Sequence, residues 1–409
     1  MLRWAQIRHA IMHKQQHNRR TFLSMGLTGL GLFAAGGLLR YQHSSASEPG
    51  LPLFHSLENL GELLAPDANG IMLPVGFRSR VVARSGEAPT GLPGYTWHPA
   101  PDGGACFTTG DGGWVYVSNS EVRSNGGGVG ALRFNADGAL LDAYSILTNT
   151  SINCAGGPTP WGTWLSCEEF DYGQVYECDP LGIKPAVVRP ALGTFEHEAV
   201  SVDLLNQCLY LTEDKPDGGL YRFRPDHPLP DLSSGQLEIA AVIEREGASY
   251  MQWLPVPDPL ARTVPTRNQV AGYTAFKGGE GIALFANKVY FTTKIDNRVW
   301  CYDSQSQLLE VIYDVATSDT PILSGVDNVV ITPAGDVLVA EDAGDMQLVV
   351  LTPGNRIVPI LRIVGQDSSE ITGPAFDPSY QRLYFSSQRG SLGRSGGGIT
   401  YEISMALAT

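Results

Sequence analysis

Charge is scarce in this chain, and positive charge is scarcer. Of 409 residues only 17% are charged, with 28 Lys and Arg against 42 Asp and Glu, for a formal net charge of −14. That balance argues against a nucleic-acid partner, which needs a basic surface. Cysteine is also sparse. Cys106, Cys154, Cys167, Cys178, Cys208 and Cys301 lack the compact spacing of a disulfide framework. Cys167, Cys208 and Cys301 fall within apolar strand-like runs and read as small buried hydrophobes; Cys154 does not. After the N-terminus there is no long amphipathic helical pattern. A G-x-S-x-G elbow, a paired-His zinc motif and a phosphate-cradling P-loop are all missing, which removes the common nucleophilic and nucleotide-binding signatures. The glycine run Asn125–Gly130 stands alone and reads as a connection between strands.

What the chain has is glycine and proline, 47 and 27 residues, and a repeat. A β-rich hydrophobic tetrad running into polar residues begins at Tyr116, Trp164, Tyr210, Tyr290, Leu338 and Tyr384, that is, 48, 46, 80, 48 and 46 residues apart. A period of about 40–50 residues built of short strands marks propeller blades. The expectation is an all-β, six-bladed β-propeller. The long third interval places an insertion between blades three and four, near Arg224 to Ala271. Residues Leu51 to Arg84 are expected to supply a strand that closes the ring and removes its exposed edges.

The first 47 residues read as a targeting segment and residues 48–409 as one domain. Arg19-Arg20-Thr21-Phe22-Leu23 precedes a weakly hydrophobic stretch, Gly26 to Leu39, too short for a comfortable membrane span. It resembles a twin-arginine translocation signal. The expected partner is that export machinery, the destination periplasmic or extracellular, with no stable membrane anchor. A closed propeller is self-sufficient as a monomer.

The strand nearest the axis should precede each tetrad by one tight turn. Counting back ten residues reaches Cys154, Glu280 and Asn328, and twelve reaches Glu198. Glu121, Glu169, Glu198, Glu213, Glu280 and Glu341 come from five of the expected blades. Converging carboxylates repel and are costly to desolvate unless cations neutralise them. Oxygen donors suit Ca2+, whereas a thiolate at Cys154 favours a transition metal such as iron.

The segment Asn153–Glu169 (NCAGGPTPWGTWLSCEE) resembles the signature of the PhoX-type alkaline phosphatases. Phe195–Val200, Leu211–Asp214, Asp327–Val330 and Ser386–Gly390 carry the same resemblance more weakly. It implies hydrolysis of small-molecule phosphomonoesters at a mixed Ca2+ and Fe3+ cluster in one mouth of the propeller channel. By that match Cys154 and Glu169 would be iron ligands, and Glu198, Glu213 and Glu280 would share iron and calcium. Glu121, Asp327, Asn328 and Glu341 would complete the set. Arg389 and Lys277 would contact phosphate, Arg389 through its fork geometry, with Lys294 a further candidate. His197 would orient Glu198 rather than bind metal. The family carries an Arg two residues before the Glu matched to Glu280, where this chain has Gly278. Two other readings exist: a calcium-dependent lactonase or esterase propeller, which has no need of Cys154, and a non-catalytic propeller that has lost phosphate binding.

Overall fold

The computed structural model describes residues 53–89, 91–342 and 344–405, so the twin-arginine segment and its cleavage region lie outside the described residues. Among the described residues the regular structure is β-strand, apart from four short 3-10 turns. No helix among them is long and apolar enough to cross a membrane.

Short strands rich in Val, Leu, Ile, Tyr and Phe, broken by Gly, Pro, Asn and Asp turns, form antiparallel up-and-down sheets. One sheet runs Pro101–Thr108, Trp114–Ser120, Gly127–Phe134, Leu140–Thr150, and the next Asn153–Pro158, Trp164–Glu168, Val175–Cys178, Val187–Val188. A nine-stranded sheet follows. It begins with His197–Asp203, Cys208–Glu213, Leu220–Pro225 and Gly235–Arg245, crosses Ala248–Pro255, and returns through Leu308–Asp314, Arg298–Asp303 and Lys288–Thr293 to Gly279–Phe285. Val326–Ile331 opens a five-stranded sheet, and Ile371–Phe376 opens the last, four-stranded one.

The arrangement is that of a propeller. Pro101–Thr108 packs beside Asn153–Pro158, that strand beside His197–Asp203, and so on through Gly279–Phe285, Val326–Ile331 and Ile371–Phe376, which returns to Pro101–Thr108. The ring is stitched shut by pairing the early strand Phe77–Arg84 with the last strand Ile399–Met405, from Phe77↔Met405 to Arg84↔Ile399. The expected closing strand is therefore present, and it covers what would be a sheet edge.

Residues Arg224 to Ala271 do not form a detached insertion. They contain two paired strands, Glu238↔Pro255 through Arg245↔Ala248. The second bridges to Leu308–Asp314 at Ser249↔Leu309 and Tyr250↔Leu308. Apolar side chains fill the space between neighbouring sheets, as in the cluster of Leu165, Val200, Leu211, Tyr221, Phe223 and Ile239.

Around the axis the backbones nearly touch, which small residues permit. A Cβ on Gly157 would lie 1.8 Å from the Val200 carbonyl oxygen, and one on Gly281 would lie 2.5 Å from the Val329 amide nitrogen. Inside the ring runs a channel of about 360 Å³ lined by residues such as Ala155, Val200, Ile282, Val329 and Phe376. Its lining side chains are mostly small or apolar, with Ser201 and Asn328 among them.

Candidate metal centre

The site is built by one device repeated round the ring. Each inner strand opens with a regular pair to its neighbour: Pro101↔Ser120, Asn153↔Glu168, His197↔Glu213, Gly279↔Thr293, Val326↔Glu341 and Ile371↔Ser387. The register then shifts within the next few residues of every inner strand. Such bulges re-aim side chains and are frequent beside functional sites. The residue after the opening pair is Asp102, Cys154, Glu198, Glu280, Asp327 or Thr372 on the inner strand. Just past the paired residue of the neighbouring strand it is Glu121, Glu169, Asp214, Lys294, Asp342 or Gln388.

Those positions converge. Ligand atoms of Cys154, Glu169 and Glu198 all lie within 4.8 Å of one another, as do those of Glu198, Glu280 and Asp327. Asp102, Glu121 and Glu370 form a third such group, and Glu169, Glu196 and Asp214 a fourth at the rim. The Cys154 Sγ lies 3.5 Å from Glu198 Oε1. Glu198 is fully buried, and its Oε2 has no hydrogen-bond partner. An orphaned carboxylate oxygen in the interior is costly unless something absent from the protein chain satisfies it.

Electrostatics give the same picture. Burial, and then Glu280 and Glu169, push Glu198 well above the usual carboxylate range. Burial, then Asp102, Glu198 and Glu169, raise the Cys154 thiol. Burial and Asp342 bring Asp327 to about 8. Without a cation the cluster would hold protons; a bound cation would displace them, thiol included.

Three other groups lie among the acids. The Lys294 Nζ sits 2.7 Å from Glu280 Oε1 and 2.7 Å from Asp214 Oδ2. Gln388 Nε2 donates to Asp102 Oδ2 at 2.6 Å and to Glu121 Oε2 at 2.7 Å. Arg389 Nη2 pairs with Glu370 Oε1 at 2.9 Å, and its side chain is 35% exposed.

Of the residues expected from sequence, Cys154, Glu169, Glu198, Glu280, Asp327 and Glu121 are brought into these groups. Asn328 adjoins them, donating to Asp327 Oδ1 at 2.9 Å while its own oxygen accepts from the Gly373 amide at 2.6 Å. Glu213 and Glu341 are not in the groups. Glu213 accepts from Arg267 Nη1 (2.8 Å), Tyr221 OH (2.8 Å) and the Gly219 amide (2.9 Å). Glu341 accepts from the amides of Ser324 (2.9 Å) and Gln347 (3.0 Å). Lys277 is exposed on the segment leading to Glu280. His197 turns away from Glu198: its Nε2 lies 3.1 Å from the Gly193 carbonyl oxygen, and its ring sits on Phe195 at 3.6 Å. All six cysteines are free thiols.

Sequence reasoning missed Asp102, Asp214, Glu196 and Glu370. Asp214 directly follows Glu213, so the signal was there, displaced by one residue. Asp102 had none: it precedes its tetrad by more than the ten-residue count.

Fold and site together define a β-propeller whose one mouth gathers buried acids and a thiol. The family model for alkaline phosphatase PhoX matches this chain over residues 116–171 and 170–307. Pseudomonas fluorescens PhoX, solved in complex with vanadate, a transition-state analogue, shares the fold with a TM-score of 0.70 at 17% identity. That alignment covers 85% of this chain and 98% of the other. The chain thus matches PhoX in sequence over residues 116–307 and in fold over most of its length. A Bacteroides thetaiotaomicron protein of unknown function is similar at a TM-score of 0.50 and 9% identity, over 81% of this chain and 76% of its own. A Xanthomonas campestris gluconolactonase reaches 0.46 at 12% identity, over 86% and 99%, too distant to argue from. No curated protein matches the sequence.

Proposed function

We propose that this chain is an exported, metal-dependent phosphatase that hydrolyses phosphomonoesters at the acidic mouth of a six-bladed propeller. The blade count takes the nine-stranded sheet as two blades joined through Ala248–Pro255. The observation that carries the function is the convergence of Cys154, Glu169, Glu198, Glu280 and Asp327 around the orphaned Glu198 oxygen, in a chain that the PhoX family model matches over residues 116–307.

The donor set fits the expected ions. Cys154 with Glu169 and Glu198 offers the thiolate and carboxylates that suit iron. Glu198, Glu280 and Asp327, and separately Asp102, Glu121 and Glu370, offer the hard oxygens that suit Ca2+. When bound, such ions polarise phosphoryl oxygens and neutralise the charge that builds in phosphoryl transfer.

The chain's own residues have distinct tasks. Arg389 is held on one side by Glu370 and keeps further guanidinium donors for a phosphate oxygen. Lys277, exposed before Glu280, adds positive charge on the approach. Gln388 fixes Asp102 and Glu121 relative to each other. Export fits the twin-arginine segment, since that route carries proteins already folded around their ions.

The test is turnover of p-nitrophenyl phosphate by the purified chain. The expected result is hydrolysis that a chelator abolishes and vanadate inhibits. Hydrolysis indifferent to chelation, or none in a metal-replete sample, would contradict the proposal.

A further inference from the structure

Round the mouth, the position after the opening pair is acidic in four neighbouring strands, at Glu121, Glu169, Asp214 and Asp342. In the strand Lys288–Thr293 the corresponding residue is Lys294. Its ammonium touches two candidate cation groups at once. Glu280 belongs to the group with Glu198 and Asp327, and Asp214 to the one with Glu169 and Glu196.

Placement of that ammonium depends on a second residue. Gly278 has φ +66°, and a Cβ there would come within 2.9 Å of Lys294 Cγ and 3.3 Å of Asp214 Oδ1. The backbone ties the two positions together, the Lys294 amide donating to the Gly278 carbonyl at 2.8 Å. Gly278 thus provides the room through which the lysine stem reaches the axis. A compact ammonium has three donors, and it stands at ion-pair distance from both carboxylates.

We infer that Lys294 is a resident cation of the acidic mouth, neutralising Glu280 and Asp214 where a metal ion would otherwise bind, so that removing its charge opens one further divalent-cation site. The physical reason is simple. Two carboxylates within ion-pair distance of one cation demand a replacement when it is lost, and Glu198 Oε2 already lacks a partner beside Glu280.

This inference rests on the reading of the mouth as a cation centre, and the experiment separates the two. Calcium bound per chain is measured by elemental analysis after equilibration in calcium buffer, for the wild-type chain, Lys294→Met and Lys294→Arg. The expected result is one additional equivalent in Lys294→Met and the wild-type number in Lys294→Arg. Calcium in the wild type with no gain in Lys294→Met overturns the role of Lys294 and leaves the cation centre standing. A wild type without calcium contradicts the cation centre, and Lys294 then stands or falls on whether Lys294→Met acquires an ion. A gain in Lys294→Arg shows that charge is not the determinant and also overturns the inference.

If Lys294→Met is too unstable to isolate without calcium, Lys294→Gln is melted across a calcium titration. A rise in midpoint larger than that of the wild type supports the inference. No rise, or no folding at any calcium concentration, shows that a metal ion cannot stand in for the ammonium.

Discussion

Glu213 is fully buried, and its carboxylate holds the Arg267 guanidinium, whose side chain is only 12% exposed. Removing one partner of a buried pair strands the other charge. Glu213→Ala is therefore expected to lower stability by about 3–5 kcal/mol in a denaturant melt, while calcium and iron content per folded chain stay at wild-type values. Loss of metal with unchanged stability would instead return Glu213 to the metal centre. Cys154 makes the opposite case: Cys154→Ser removes the soft donor but keeps the Glu198, Glu280 and Asp327 oxygens. Iron and any visible absorbance are expected to vanish while calcium is retained. A variant with wild-type iron would show that Cys154 is a bystander.

At the scale of elements, the mouth depends on the shared bulge and on how closely the inner strands approach. Gly157 lies three residues beyond Cys154 and faces the Val200 carbonyl. Gly157→Ala drives a methyl group into that backbone, and overpacking of this kind costs about 1–3 kcal/mol. The strands carrying Cys154 and Glu198 must then part, so metal content is expected to fall along with the thermal midpoint. A stable variant with full metal would show that the approach does not set the site. The bulge also explains what could be read from sequence. The tetrad repeat located the strands, their spacing revealed the all-β propeller, and Cys154, Glu169, Glu198 and Glu280 were found in phase. Alternation along a strand exchanges faces at each residue, so a one-residue ambiguity at a strand end decides between axis and interior. Glu169 and Asp214 lie after the paired position and face the axis, whereas Glu213 and Glu341 occupy it and turn to Arg267 or backbone amides. Glu370 escaped because it precedes the inner strand Ile371–Phe376, outside the counted positions. The stretch from Arg224 to Ala271 looked like an insertion because Pro and polar residues mask two strands that the pairing of Ala248–Pro255 with Leu308–Asp314 makes continuous.

For the whole molecule, a net charge of −14 with acids concentrated at one mouth means that bound cations should govern stability. In the chelated chain the axial carboxyls favour their protonated form, with Asp327 brought to about 8 by burial and Asp342. A raised folded-state pKa gives stability that is complete below the unfolded carboxylate value and is lost as pH rises through the folded one. The thermal midpoint of the chelated chain is therefore expected to fall between about pH 4 and pH 8, and the metal-loaded chain to lose much less over that range. Parallel pH profiles with and without chelator would mean that the acids are not neutralised by metal. The central claim, a phosphatase whose acidic mouth is held by iron and calcium, is tested most directly by elemental analysis of the chain exported by its own route, with p-nitrophenyl phosphate turnover measured on the same sample. The account predicts iron and calcium together with turnover; a well-folded chain without bound metal and without hydrolysis would contradict it.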